Sequence, residues 1–142
     1  MAIQPYIDSI EDTENLYKVY KDLDPNFKRH PITKDVINFQ GRDAIKTSIM
    51  NLVKMTPGSR IGRPEVGGAV MALLFEPMNN LTTNRIQSEI ESVITTYEPR
   101  AELIKVEVRP DEDNNEYIIN ILFAIAESSE PIEFETYLQR VR

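Results

Sequence analysis

Carboxylates dominate the reactive side chains of this chain: 23 Asp plus Glu stand against one histidine and no cysteine. The missing cysteines exclude a disulfide framework, thiol catalysis, Cys-bound zinc and iron–sulfur ligation. A Ser/His/Asp site would have to use His30, in KRHPIT, and no G-x-S-x-G elbow accompanies it. Two carboxylates suffice for glycoside hydrolysis, provided apolar surroundings keep one of them protonated. Glu98, between Tyr97 and Pro99, comes nearest, but Arg100 is close by. An adjacent cation keeps a carboxylate ionised, which is the wrong state for a general acid. The oxygen-rich PDEDNNE from Pro110 to Glu116 lacks the mid-loop glycine and the spaced final glutamate of a helix-flanked calcium loop, and reads as a hairpin turn. Gly62 and Gly67 have P-loop spacing, but Gly68 and Ala69 follow them in place of Lys and Ser/Thr. These residues imply no metal site, no cofactor and no catalytic residue.

Two features still ask for a role. TPGSRIGRPEVGG gathers four of the five glycines with two prolines. Glycine reaches backbone angles closed to other residues and proline fixes its own, so Pro57, Gly58, Arg60, Pro64, Glu65 and Gly67 define a shaped loop. The second feature is YEPR at 97 to 100, where Glu98 follows a helical pattern and opposes the helix dipole. Either Arg100 folds back onto Glu98 or the helix carbonyls, or both charges await a partner. The residues alone leave both readings open.

The elements that must carry these features follow from hydrophobic spacing. Ile45, Ile49, Leu52 and Val53 recur as one helical stripe, with Asp43 as N-cap or first-turn acid and Pro57–Gly58 as the stop. Ala69 to Phe75 reads as a buried helical turn or two. Ile86, Ile90, Val93, Ile94 and Tyr97 give a second long helix, capped by Thr82 or Thr83 and ended before Pro99. Ile104, Val106 and Val108 alternate with Lys105, Glu107 and Arg109 as a half-buried strand. Tyr117 to Ile125 is apolar at nearly every position, which predicts a central strand. SSEP is expected to break it, with IEFETYL as a third strand or short terminal segment. The fold class is therefore α+β: two to three helices, then a small antiparallel β-meander. Residues 1–40 carry Pro5, Pro25 and Pro31 without sustained periodicity. They read as an extended N-terminal arm, with a short strand near Leu16 to Tyr20, preceding a single domain at 41–142.

At 142 residues the chain suits one core of ordinary size. Its net charge of -7 argues against direct nucleic-acid binding, which rests on clustered cations. That total hides segregation: residues 25 to 63 hold eight bases and two acids, whereas 64 to 142 hold six bases and fifteen acids. No leader pattern and no long apolar run mark the chain for secretion or membrane insertion.

In order, YKDLDPNF, ITKDV, GRDAIKTSIMNLVKMTPGSRIGRPEVGG, LLFEPMNNLT and the helix ending in YEPR resemble the contractile-tail baseplate wedge family. That family includes the lysozyme-like baseplate wedge subunit of T-even-type phages and a component of type VI secretion baseplates. The resemblance covers about residues 16 to 126 and rests on the ordered set T-P-G-x-R, P-E-x-G, L-F-E-P and E-P-R. It implies a non-enzymatic virion protein of the phage tail baseplate, assembled in the host cytoplasm. Glu98, Pro99 and Arg100 would contact the helical core bundle of neighbouring wedge subunits. The C-terminal strands would initiate tail sheath assembly by β-augmentation, in six copies or a multiple per baseplate. A peptidoglycan-degrading, lysozyme-like tail enzyme is the competing reading. The chain departs from the family pattern at Val66, where an aromatic is usual, and residues 1 to 15 lie outside it as an extra arm.

Overall fold

The computed structural model describes residues 21–125 and 128–140. The chain divides into two compact units, one ending at Ile45 and one beginning at Lys46.

In the first unit β1 (Lys21–Leu23) pairs antiparallel with β2 (Asn38–Gln40), and Arg29 bridges Val36 between them. Part of the stretch read as an extended arm is thus a short ladder; the strand expected near Leu16 to Tyr20 lies outside the described residues. Asp24 is buried, and its carboxylate accepts from the Asn26 backbone N–H at 2.8 Å. His30 Nδ1 accepts from the backbone N–H groups of Ile32 and Thr33 at 3.3 and 3.2 Å, so the imidazole closes a turn.

Helix α1 (Arg42–Lys54) starts after Gly41 and carries Asp43 in its first turn, where the dipole favours an acid. Its apolar stripe is buried as the spacing predicted: Ile45, Ile49, Leu52 and Val53. In the second unit α2 (Val70–Leu73) is a single buried turn. Helix α3 (Asn80–Tyr97) begins a turn earlier than expected. Asn79, in extended geometry, caps it by accepting from the Thr82 N–H at 2.8 Å, while Thr83 Oγ1 donates back to the Asn79 carbonyl at 2.9 Å. The threonines expected as caps therefore sit inside the first turn, where both are buried. Ile86, Ile90, Val93 and Ile94 form the buried face, and α3 packs on α2 and β3.

The sheet runs β3 (Ala101–Asp111), β4 (Glu116–Ile125), β5 (Ser128–Gln139), all antiparallel, with β4 central as its apolar run predicted. Tyr117, Ile119, Ile121 and Phe123 on one face of β4 are fully buried. Phe123 meets Phe134 of β5 edge to face at 6.0 Å, and Lys46 of α1 lies 5.4 Å over the Phe134 ring. Two expectations fail here. Ile104 does not join Val106 and Val108: the register shifts between Leu103 and Lys105, and Ile104 is left 53% exposed. One extra residue reverses the facing of everything beyond it, so the buried series runs Ala101, then Val106 and Val108. Nor is SSEP the break: β4 already ends at Ile125, and SSEP opens β5, the third strand expected over IEFETYL, with Pro131 opposite Ala124. The irregularity is absorbed as a register shift between Ala124 and Ile125. The acidic turn is a hairpin, with Asp111 accepting from the Asn114 backbone and side-chain amides and Asn115 at φ 55°.

Candidate functional site

The E-P-R corner is built by the end of α3 and the start of β3. Pro99 stops the helix, and Glu98 becomes its C-cap, with φ −123° and its N–H donating to the Ile94 carbonyl at 2.9 Å. The Ala101 N–H then donates to the Glu98 carbonyl, turning the chain into β3. Arg100 folds back onto Glu98: Nε reaches Oε1 at 2.5 Å and Nη2 reaches Oε2 at 2.7 Å, a two-pronged pair. Of the two outcomes left open by the residues, the internal pair is the one formed. The Glu98 side chain is only 3% exposed and Arg100 25%. Burial pushes the Glu98 carboxyl upward, but the Arg100 guanidinium and the Ser48 hydroxyl together hold it below its usual range. Glu98 is thus an ionised, oriented carboxylate, and the Arg100 cation offsets the cost of its negative charge at the helix C-terminus. Pro99 is exposed beside it.

The Gly/Pro loop is folded, as its composition predicted. The Gly58 N–H donates to the Pro64 carbonyl at 2.8 Å, closing the loop on itself. The N–H and hydroxyl of Ser59 both donate to the Thr56 carbonyl, at 3.1 and 2.6 Å. At the foot, the Gly68 N–H donates to the Met55 carbonyl at 3.0 Å, and the Ala69 N–H donates to Glu89 Oε1 at 2.7 Å. Gly67, at φ 126°, lies so close to the Met55 carbonyl that a Cβ there would stand 2.6 Å from the oxygen. Val66 is buried with Leu52 and Val93, against Met55 and Tyr97. Val66, one of the loop's own residues, is therefore a core residue. Pro57, Gly58, Arg60, Pro64 and Glu65 are exposed, while Gly67 is buried.

Three contacts at these features escaped the sequence reading. The Tyr97 hydroxyl donates to the Glu65 carbonyl at 2.6 Å, joining the loop to the residue just before the E-P-R corner. Glu76, of L-F-E-P, takes both carboxylate oxygens to Arg85 Nη1 at 2.8 and 2.7 Å. Its carbonyl accepts from Arg140 Nε at 3.1 Å, tying the end of β5 to the α2–α3 connection. Each spans nine or more residues, beyond what local periodicity carries; the place of Glu76 in L-F-E-P was the available signal. Among the described residues no cluster of three His, Asp or Glu side chains could hold a metal ion, and no helix is long and apolar enough to cross a membrane.

The fold is thus an antiparallel meander with α3 packed on β3, a closed loop and a charge-paired corner at the end of α3. Comparison with known proteins makes the class specific. The family described as "Baseplate wedge protein gp25" matches residues 40–128. The baseplate wedge protein gp25 of Enterobacteria phage T4 is 35% identical over 119 residues, covering 84% of this chain and 89% of that protein. The chain therefore belongs to the baseplate wedge family of contractile tails, and its place is the tail baseplate. Two solved structures share its fold. One, described as a putative tail lysozyme from Geobacter sulfurreducens, has a TM-score of 0.66 at 23% identity, over 70% of this chain and 91% of that one. The other, from the baseplate of the anti-feeding prophage, has a TM-score of 0.60 at 24% identity, over 87% and 88%.

Proposed function

We propose that the chain holds its place in the wedge by docking the E-P-R corner on the helical core of neighbouring wedge subunits, and that its sheet starts the tail sheath. The observation that carries the first half is the locked geometry of the corner. The buried Glu98 fixes the guanidinium plane of Arg100, so Pro99 and the exposed quarter of Arg100 form a rigid, cationic corner at the helix end. A group fixed in advance loses little freedom on binding. The same geometry speaks against the hydrolase reading, because Glu98 is held ionised where a general acid must be protonated.

The second half rests on the unequal edges of the sheet. β3 carries three of the devices that discourage strand addition: the Ile104 bulge, Lys105 and Pro110. β5 has its proline, Pro131, and its register shift only at its start; from Ile132 to Gln139 it carries the exposed Glu133 and Glu135 but no bulge, lysine or proline. We therefore assign the added sheath strand to β5, with main-chain hydrogen bonds as the main attraction.

Co-expression of the full chain with its wedge neighbours tests the corner. The double replacement Glu98→Gln with Arg100→Gln removes both charges together and leaves no lone buried carboxylate. It is expected to fold and to drop out of the wedge complex; normal incorporation refutes the docking role. For the sheet, Glu133→Lys with Glu135→Lys on β5 should block sheath growth on assembled wedges while lysines placed on β3 do not. The reverse pattern would move the assignment to β3.

A further inference from the structure

Backbone hydrogen bonds at Gly58, Ser59 and Val66 close the Gly/Pro loop on itself, and its apex carries an isoleucine. Ile61 exposes 106% of its reference surface, against 83% for Ile32, the next most exposed large apolar side chain among the described residues. Isolated exposed aliphatics are ordinary on protein surfaces. The backbone beneath this one is not. Gly58 and Gly62 bracket the apex at φ 85° and 88°, Pro57 and Pro64 stand outside them, and the Gly58 to Pro64 hydrogen bond closes the ring. The backbone on both sides of the apex is thus restricted, and Ile61 stands in solvent.

The charges around the apex have one sign. From Thr56 to Pro64 there is no acid, and Arg60 and Arg63 flank Ile61. Arg60 is exposed and forms no ion pair among the described residues. Arg63 leans on Glu65 at 3.4 Å, with both side chains more than half exposed, an arrangement that holds an arginine only weakly. The foot of the loop is held by Tyr97, which directly precedes Glu98, so loop and corner meet at one helix terminus.

We propose that Ile61 is a docking knob: it enters an apolar socket, sized for one aliphatic side chain and rimmed by carboxylates that receive Arg60 and Arg63, on the same wedge subunit that meets the E-P-R corner. The identity of that subunit rests on the function proposed above; the knob itself rests on the loop. A rigid anchor seated in a desolvated pocket is the arrangement from which a few residues draw most of an interface's affinity. Nucleic acid would satisfy the arginines but gives an isoleucine no socket, and the net charge of -7 opposes it.

The test uses the full chain co-expressed with its wedge neighbours, with a photo-crosslinking benzoylphenylalanine in place of Ile61. Crosslinking is expected to the wedge-core subunit, in a peptide where acidic residues flank apolar ones. Ile61→Asp should weaken incorporation about ten- to a hundred-fold, and Ile61→Leu should restore it. Neither should move the melting temperature, since the side chain packs on nothing. Arg60→Glu should weaken incorporation further at low salt than at high salt. Incorporation of Ile61→Asp at wild-type strength overturns the proposal, as does crosslinking to a second copy of this chain, to nucleic acid or to another subunit. The Glu98→Gln, Arg100→Gln variant separates the two ideas. If it assembles normally while Ile61→Asp does not, the corner loses its role and the knob keeps its own.

Discussion

Tyr97 and Glu65 lie 32 residues apart and are joined by a 2.6 Å hydrogen bond from the phenol to the main-chain carbonyl. That bond adds to those from Gly68 to Met55 and from Ala69 to Glu89 and fastens the loop to the last residue of α3. Replacing Tyr97 by Phe removes the hydroxyl and leaves the ring against Val66 and Val93. The loss is expected to be about 1 kcal/mol in global stability. The larger effect is local, in faster amide exchange at Gly58 and Ser59. Unchanged exchange at those amides would mean the loop keeps its shape without the helix.

Gly67 and Gly58 both take positive φ, yet they predict different outcomes. At Gly58 nothing lies within 4 Å of an added Cβ, so Gly58→Ala meets only the left-handed backbone penalty, about 1 kcal/mol. At Gly67 the φ of 126° lies further from what an L side chain accepts, and the Cβ meets the Met55 carbonyl. Gly67→Ala should therefore cost about 3 kcal/mol or more. Denaturant melts of the two variants check the order; equal losses would show that the foot of the loop yields.

The start of α3 invites a similar contrast. Asn79→Ala deletes the cap that holds the Thr82 N–H and should destabilise by about 1 kcal/mol. Arg85→Ala breaks a contact in which one guanidinium nitrogen serves both Glu76 oxygens, but those side chains are 52% and 38% exposed, so the change should stay within about 0.5 kcal/mol. Urea midpoints measured side by side decide whether the cap outweighs the pair.

How much of this was legible in the sequence depended on how local each signal was. The stripes of α1 and α3 and the apolar run of β4 are repeated patterns, and each element lies where its pattern fell. The Ile104 bulge was invisible because the alternation Ile104, Val106, Val108 is unbroken in the letters; a register shift belongs to the pairing with β4. The Asn79 cap was missed because two threonines nearer the stripe offered equally good cap chemistry. At the corner, residue types showed that Glu98 needed a cation and that Arg100 was in reach. Whether the cation would come from within was a question of backbone angle at Pro99, which only the folded chain answers. The link from Tyr97 to Glu65 left no trace, since a tyrosine completing an apolar stripe reads as core whatever its hydroxyl does.

The corner also has a pH signature whose sign reverses in one variant. In the wild type the folded-state pKa of Glu98 lies below its usual 4.5. The pair thus adds stability that is fully present above that value and is lost as pH falls through the folded one. In Arg100→Ala the guanidinium's hydrogen bonds and charge disappear, burial still pushes the carboxyl upward, and only the Ser48 hydroxyl and the backbone N–H of residue 100 oppose it, so the expected direction of the shift is upward. The folded pKa then lies above the unfolded one. This group's contribution becomes greatest at low pH and falls as pH rises through the raised value. At neutral pH the variant should be about 2 to 4 kcal/mol less stable, reduced from the fully buried case because Arg100 is partly solvated. Toward about pH 4 the gap between variant and wild type should narrow. Urea unfolding across that range, with Arg85→Ala as a control for loss of an exposed pair, measures the difference directly. Parallel stability curves for wild type and Arg100→Ala would mean that Glu98 is not held by Arg100 in solution, and the locked corner would then be lost as a docking element as well.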